Sequence, residues 1–281
     1  MAASPINDFK EFRLLVEVQG PFISSSVLRD TFPQGFPKEE TLGDDLRELR
    51  IAYEMWQDAS PAELAAQSDW SRYVLTNILE FDSSNIAVGQ AIPQSLRVRS
   101  AEAHGDLIPD LLITTPGEED LLGNVTPRNP LVPVLVSPRG QRLNKVGSSE
   151  SSRLTPLDRT IAFLRGSSFQ IGLLTNGEQW AVVHCPASGS AQSGVTSIAT
   201  WYAAMWLEEP VTFRALRALF GLDVGSMQNL RTPYPSYSNA AHSIKGLSLH
   251  SWGGRSGCKE LWRGEAAKTG WQCLCAIPSD C

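Results

Sequence analysis

Cysteine is nearly missing from most of this chain. Cys185 stands alone in the first 222 residues, and Cys258, Cys273, Cys275 and Cys281 all lie beyond them. A single thiol excludes a disulfide framework for the body and fits a reducing cytoplasm. The later cysteines lack the paired C-x2-C spacing of a zinc knuckle, so no metal site is expected there. Histidine is scarce too: His104, His184, His242 and His250 share no ligand spacing. No apolar run approaches the eighteen residues of a membrane-spanning helix, so no membrane partner is expected. Met1 to Lys10 lacks the basic and apolar regions of a signal peptide, which again points to the cytoplasm. No nucleophile elbow, phosphate-binding loop or dinucleotide fingerprint occurs. A net charge of −6 excludes a strongly basic nucleic-acid module but leaves room for a local basic face.

What is present is a chain of 281 residues, enough for one or two domains, with 42% hydrophobic and 19% charged residues. Its patterning changes near residue 222. Beyond that point no helical or strand period persists, and Gly, Ser, Cys and Trp are scattered. This divides the chain into an N-terminal tail (1–11), a folded domain (12–221) and a disordered or out-of-frame tail (222–281).

Within the domain, Phe12 to Val18 is a short apolar-rich segment. Leu46, Leu49, Tyr53 and Trp56 recur at helical spacing and predict a helix over Asp44 to Gln57. Ser60-Pro61-Ala62-Glu63 has the form of a capping box and predicts a helix start there. Trp70, Tyr73, Val74, Ile78 and Phe81 mark its buried stripe. Leu107 to Thr114 and Leu131 to Val136 read as strands, the second apolar enough to be central. Thr155-Pro156-Leu157-Asp158 opens another helix, to about Arg165. Asn176-Gly177 separates two β-rich runs and predicts a type I′ hairpin, in which both turn residues take positive φ. Val195 to Thr200 reads as an edge strand, and Trp201 to Leu207 and Val211 to Phe220 as helices broken at Pro210.

The element order helix, strand, strand, helix, strand, strand is that of a restriction-endonuclease-like core. The expected fold is therefore α/β, with a degenerate PD-(D/E)xK-type central sheet flanked by helices. Such a core holds Mg²⁺ between an acid on one strand and an acid-x-Lys on the next. Asp110, after Pro109, fits the first acid, and Glu80 is a candidate on the preceding helix. The second acid is missing, because Leu131 to Val136 runs into Ser137-Pro138-Arg139. No cofactor is expected, with Mg²⁺ entering only if the nuclease site is active. Glu178 is an alternative source of the missing acid. Arg139, Arg142, Lys145, Arg153, Arg159 and Arg165 cluster in sequence and form a candidate phosphate-contacting face. Trp180, Trp201, Tyr202 and Trp206 are a candidate base-stacking platform or, at this spacing, core aromatics.

Several stretches carry a resemblance. They are Gln19-Gly20-Pro21-Phe22, Phe32-Pro33-Gln34-Gly35, Gly89-Gln90-Ala91-Ile92-Pro93, Pro109-Asp110-Leu111, Thr175 to Trp180, and Trp201-Tyr202 to Trp206-Leu207-Glu208-Glu209-Pro210. Together they resemble the N-terminal region of large type IIG-like restriction-modification DNA adenine methyltransferases, including those of BREX- and DISARM-like phage-defence systems. The resemblance covers residues 12 to 221. It implies a nuclease-like domain ahead of a methyltransferase, with DNA or other defence-system subunits as partners. The chain departs from that pattern at the acid-x-Lys element and in lacking methyltransferase motifs. Its nearest approach to Asn-Pro-Pro-Tyr is Asn129-Pro130-Leu131-Val132, without the aromatic that would hold a flipped adenine.

The tail suggests why. Read back into codons and shifted by two bases, Ser251 to Gly257 permits Leu-Gly-Arg-Gln-Val-Arg, and Ala241 to His250 permits Ser-Leu-His-Gln-x-x-Val-Thr in the same frame. Both resemble helical sequence, which predicts a frame change between Leu222 and Ala240. The expected role is that of a truncated, catalytically inactive nuclease-like domain that engages DNA or a partner. An active Mg²⁺-dependent endonuclease and a non-catalytic protein-interaction domain are the alternatives.

Overall fold

The computed structural model describes residues 5–38, 41–61, 63–100, 105–115, 129–147, 154–186 and 195–221. The expectations for the tail beyond 221, and for Arg153, lie outside the described residues. The chain runs α1 (Pro5–Leu15), β1 (Glu17–Gln19), α2 (Ser25–Thr31), α3 (Leu42–Asp58) and α4 (Leu64–Tyr73). After one π-helical turn (Val74–Ile78) come β2 (Ile86–Val88), β3 (Val98–Ser100), β4 (Gly105–Leu107), β5 (Leu111–Thr114) and β6 (Pro130–Val136). It continues with α5 (Pro156–Gly166), β7 (Ile171–Thr175), β8 (Gln179–His184), β9 (Ser197–Tyr202), α6 (Ala203–Glu208) and α7 (Pro210–Phe220).

Seven strands form one mixed sheet in the order β1-β9-β8-β7-β6-β5-β2. Every neighbouring pair is antiparallel except β6 and β7, which run parallel. A parallel pair cannot be joined by a tight turn, and α5 is its crossover. β6 is apolar on both faces because both are covered, as its sequence predicts. Its parallel ladder starts only at Val134, after Pro133, which has no N–H to give.

Two hydrophobic cores flank the sheet. One, under α1, α3, α4, α6 and α7, is built around Trp70, Trp180, Trp201, Trp206 and Phe213. The other, under α5 and the β3–β4 hairpin, is smaller and centres on Leu112, Leu135, Phe163 and Leu174. The architecture is thus α/β with a mixed seven-stranded sheet between two layers.

Several sequence expectations meet the structure directly. The capping box at Thr155 and Asp158 forms, with each side chain bonded to the other's backbone N–H. At Ser60-Pro61 only a backbone turn forms, Glu63 N–H to Ser60 O at 2.9 Å, and α4 starts at Leu64 with no side-chain cap. The segment 1–11, set apart as a tail, contains the start of α1, whose Phe9 is buried in the core. Val195 to Thr200 is no edge strand. β9 lies second from the edge, covered by β1, and extends through Trp201 and Tyr202 before α6 begins.

The β7–β8 hairpin forms where Asn176-Gly177 predicts it, but not as type I′. Only Gly177 takes positive φ, at 92°. The Asn176 side-chain oxygen instead accepts the N–H groups of Glu178 and Gln179 at 3.1 and 2.7 Å. An Asx-type turn replaces the expected one, because Asn offers its own acceptor in place of a left-handed backbone.

Candidate functional site

The sequence places Asp110 within one strand over Leu107 to Thr114, but the structure breaks that run into β4 and β5 and leaves Asp110 just before β5, beside the end of β6. The N–H of Asp110 bonds Val134 O at 3.0 Å, and its carboxylate accepts the N–H of Val136 at 2.7 Å. The residue keeps an exposed surface, yet its carboxyl group turns toward β6. Loss of hydration raises its pKa from the ordinary carboxylate value, and the Val136 N–H and the Arg159 guanidinium oppose that rise. The strand beside it offers Val134, Leu135 and Val136, none of which can hold a metal. Among the described residues no group of three His, Cys, Asp or Glu side chains converges.

Glu80 does not join Asp110. Its carboxylate is bonded to Arg217 of α7, which also holds Asp45 of α3 at 2.6 Å. Its backbone is unusual as well. Glu80 is the only non-glycine among the described residues with positive φ, at 60°. It follows the π-helical turn, and the next N–H, of Phe81, returns to Leu75 O at 3.0 Å. That is a helix C-terminal closure in which glycine is the usual occupant. A glutamate there accepts local strain and supplies the carboxylate that ties this turn to α7.

Glu178, the alternative acid, is also committed. It accepts the Tyr53 hydroxyl and the Ala204 N–H, the latter at 3.3 Å, and so caps α6. Burial and the Glu178 hydrogen bond together push the Tyr53 hydroxyl pKa upward.

The candidate phosphate face separates into unlike parts. Arg139 is structural. Its guanidinium donates to Trp56 O at 2.8 Å, Ala59 O at 2.7 Å and Gln57 O at 2.7 Å. It also lies 4.5 Å from the centre of the Trp56 ring. These are the orphan carbonyls at the end of α3, so Arg139 caps that helix across 80 residues of chain. Arg142 and Lys145 remain exposed on the loop after β6. Arg159 is half-buried and acts on Asp110. Arg165, at the far end of α5, donates to the Thr196 hydroxyl at 3.2 Å. No sequence signal marks Arg139 apart from its neighbours, because its acceptors lie on a distant helix.

The tryptophans resolve toward the core. Trp180, Trp201 and Trp206 are at most 2% exposed, which excludes them as an open stacking platform. Trp70 and Trp180 both donate to the Gly177 carbonyl, at 2.7 and 2.9 Å, so the β7–β8 turn is itself part of the core. His184 is buried, with Nδ1 3.4 Å from the Ser197 hydroxyl, and loss of hydration lowers its pKa. No family model, curated protein or solved structure matches this chain.

Proposed function

We propose that residues 12–221 are a degenerate nuclease-like domain of a restriction-modification or phage-defence DNA methyltransferase. In this reading the domain breaks no bonds and acts by engaging DNA or a partner subunit. One observation carries the proposal. Asp110 lies just before β5, where the nuclease-like reading puts its metal-binding acid, and the adjoining strand end is Val134-Leu135-Val136, with its backbone bonded to that carboxylate. The topology supports it: β5 and β6 are antiparallel, α5 crosses over, and β7 lies parallel to β6. From β5 onward the strand, strand, helix, strand, strand order is the one expected from the sequence, with β2, β3 and β4 inserted ahead of it. A lone carboxylate cannot neutralise Mg²⁺ and position an attacking water as a paired site does.

The test uses the full chain with supercoiled plasmid in Mg²⁺ or Mn²⁺ and, separately, a fluorescent duplex. The proposal expects intact plasmid and metal-independent duplex binding. Metal-dependent nicking that is lost in Asp110→Ala would overturn the inactive reading in favour of an endonuclease.

A further inference from the structure

The two layers around the sheet differ in charge. α3, in the layer of many helices, carries Asp44, Asp45, Glu48, Glu54 and Asp58 against Arg47 and Arg50. Arg214 there bonds Asp8, Arg217 bonds Asp45 and Glu80, and Arg139 reaches in from the loop after β6 to the α3 carbonyls, while Arg13, Arg29 and Arg72 are exposed among a larger number of acids. The opposite layer consists of α5, the β3–β4 hairpin and the loop after β6. It carries Arg97, Arg99, Arg142, Lys145, Arg159 and Arg165, against Asp106, Asp110 and Asp158 among the described residues.

Two of those arginines, Arg97 and Arg99, belong to no cluster visible in the sequence. The fold brings them in. Gly166, at the end of α5, lies so close against Val98 that a β-carbon there would overlap it. Only glycine permits this approach. With Val98 turned to α5, strand alternation sends its neighbours Arg97 and Arg99 outward, and both are exposed. Asp106 shares Arg99 at 3.7 Å. Asp158 is occupied in capping α5.

We infer that this second layer is the surface that meets the phosphate backbone of duplex DNA. Its footprint runs from Arg142 and Lys145 past Arg159 and Arg165 to Arg97 and Arg99. This rests on the DNA-engaging reading above and names its face. An acidic chain with one outward cationic layer orients a polyanion through that layer. Long flexible cations suit sequence-independent backbone contact.

The experiment measures binding of a random-sequence duplex by fluorescence anisotropy over a range of salt, with the full-length chain. Three double variants are compared: Arg97→Glu with Arg99→Glu, Arg142→Glu with Lys145→Glu, and Arg47→Glu with Arg50→Glu on α3. Each pair in the proposed footprint is expected to weaken binding at least about tenfold and to lower the salt slope by about two. The α3 pair should bind as wild type. Circular dichroism spectra matching wild type show that the exposed variants still fold. No duplex binding by the wild-type chain overturns the inference together with the DNA arm of the functional reading. Binding that ignores Arg97 and Arg99, or falls equally in the α3 pair, overturns the inference alone. The whole chain is used, so charges outside the described residues are included in the result.

Discussion

The layer of many helices and the α5 layer engage arginine differently, although Arg29, Arg47, Arg50 and Arg72 are exposed on the first as well. In the first, Arg139, Arg214 and Arg217 reach inward to carbonyls and carboxylates and hold helices to one another. In the second, Arg97, Arg99 and Arg142 face solvent. The difference comes from what lies within reach. Where helices end or cross, unpaired carbonyls and acids collect, and the five-donor guanidinium satisfies several at once.

Removing an inward arginine should therefore have the largest effect. Arg214 and Asp8 form an ion pair with side chains only 10% and 5% exposed, and Arg214 also donates to Phe36 O at 2.8 Å. Arg214→Met leaves a buried carboxylate without its partner and should cost about 3–5 kcal/mol in urea unfolding. A cost below about 1 kcal/mol would mean that solvent reaches Asp8 freely.

Next comes the comparison of Arg139 with its neighbour in sequence, Arg142. Arg139→Ala releases three carbonyls and a ring contact. It should cost about 2 kcal/mol. Arg142→Ala should change stability by no more than about 0.5 kcal/mol. Equal losses of stability would erase the distinction between the two residues.

Two titrations give smaller effects. The pKa of His184 is lowered in the fold relative to 6.5, so the unfolded chain takes up its proton first as pH falls. Its contribution to stability is complete above the unfolded pKa and is lost as pH falls toward the folded one. The slope from this residue is at most about 1.4 kcal/mol per pH unit. Replacing it by Leu should flatten unfolding free energy against pH below about 6.5. If the variant keeps the same slope, other groups carry the pH dependence.

Asp110 has the opposite sign. Its raised pKa means that stability is greatest below the unfolded value of 3.8 and falls as pH rises through the folded value. Asp110→Asn keeps an acceptor for the Val136 N–H and removes the charge, so it should raise the thermal midpoint at neutral pH. Solvent screening at this exposed residue keeps the gain within about 0.5 kcal/mol. A lowered midpoint would show that the carboxylate is net stabilising.

Much of the fold is legible in the residues. The apolar run of β6, the helical spacing of Leu49, Tyr53 and Trp56, and the Thr155 capping box each depend on neighbours within a few positions. β1 was not legible as a strand: all three of its residues are exposed, so no alternation marks it, and it pairs because β9 offers an edge. Of the candidate site, Asp110 was legible as an acid, but not the break between β4 and β5 that leaves it outside a strand. The committed roles of Glu80 and Arg139 were not.

The sequence alone determined β6, the Thr155 cap of α5, the buried stripe of α3, the single cysteine of the first 222 residues and the lack of an acid on the strand beside Asp110, because each depends on residue type and short spacing. Tertiary structure decided which arginines are bound inward and which face outward, that the Asn176 turn is buried under tryptophans, and that Arg97 and Arg99 join the α5 layer. Those outcomes depend on contacts between residues far apart in the chain, such as Gly166 against Val98 and Arg139 beneath the end of α3. Charge and hydrogen-bonding capacity are properties of a residue, but their partners are supplied by the fold.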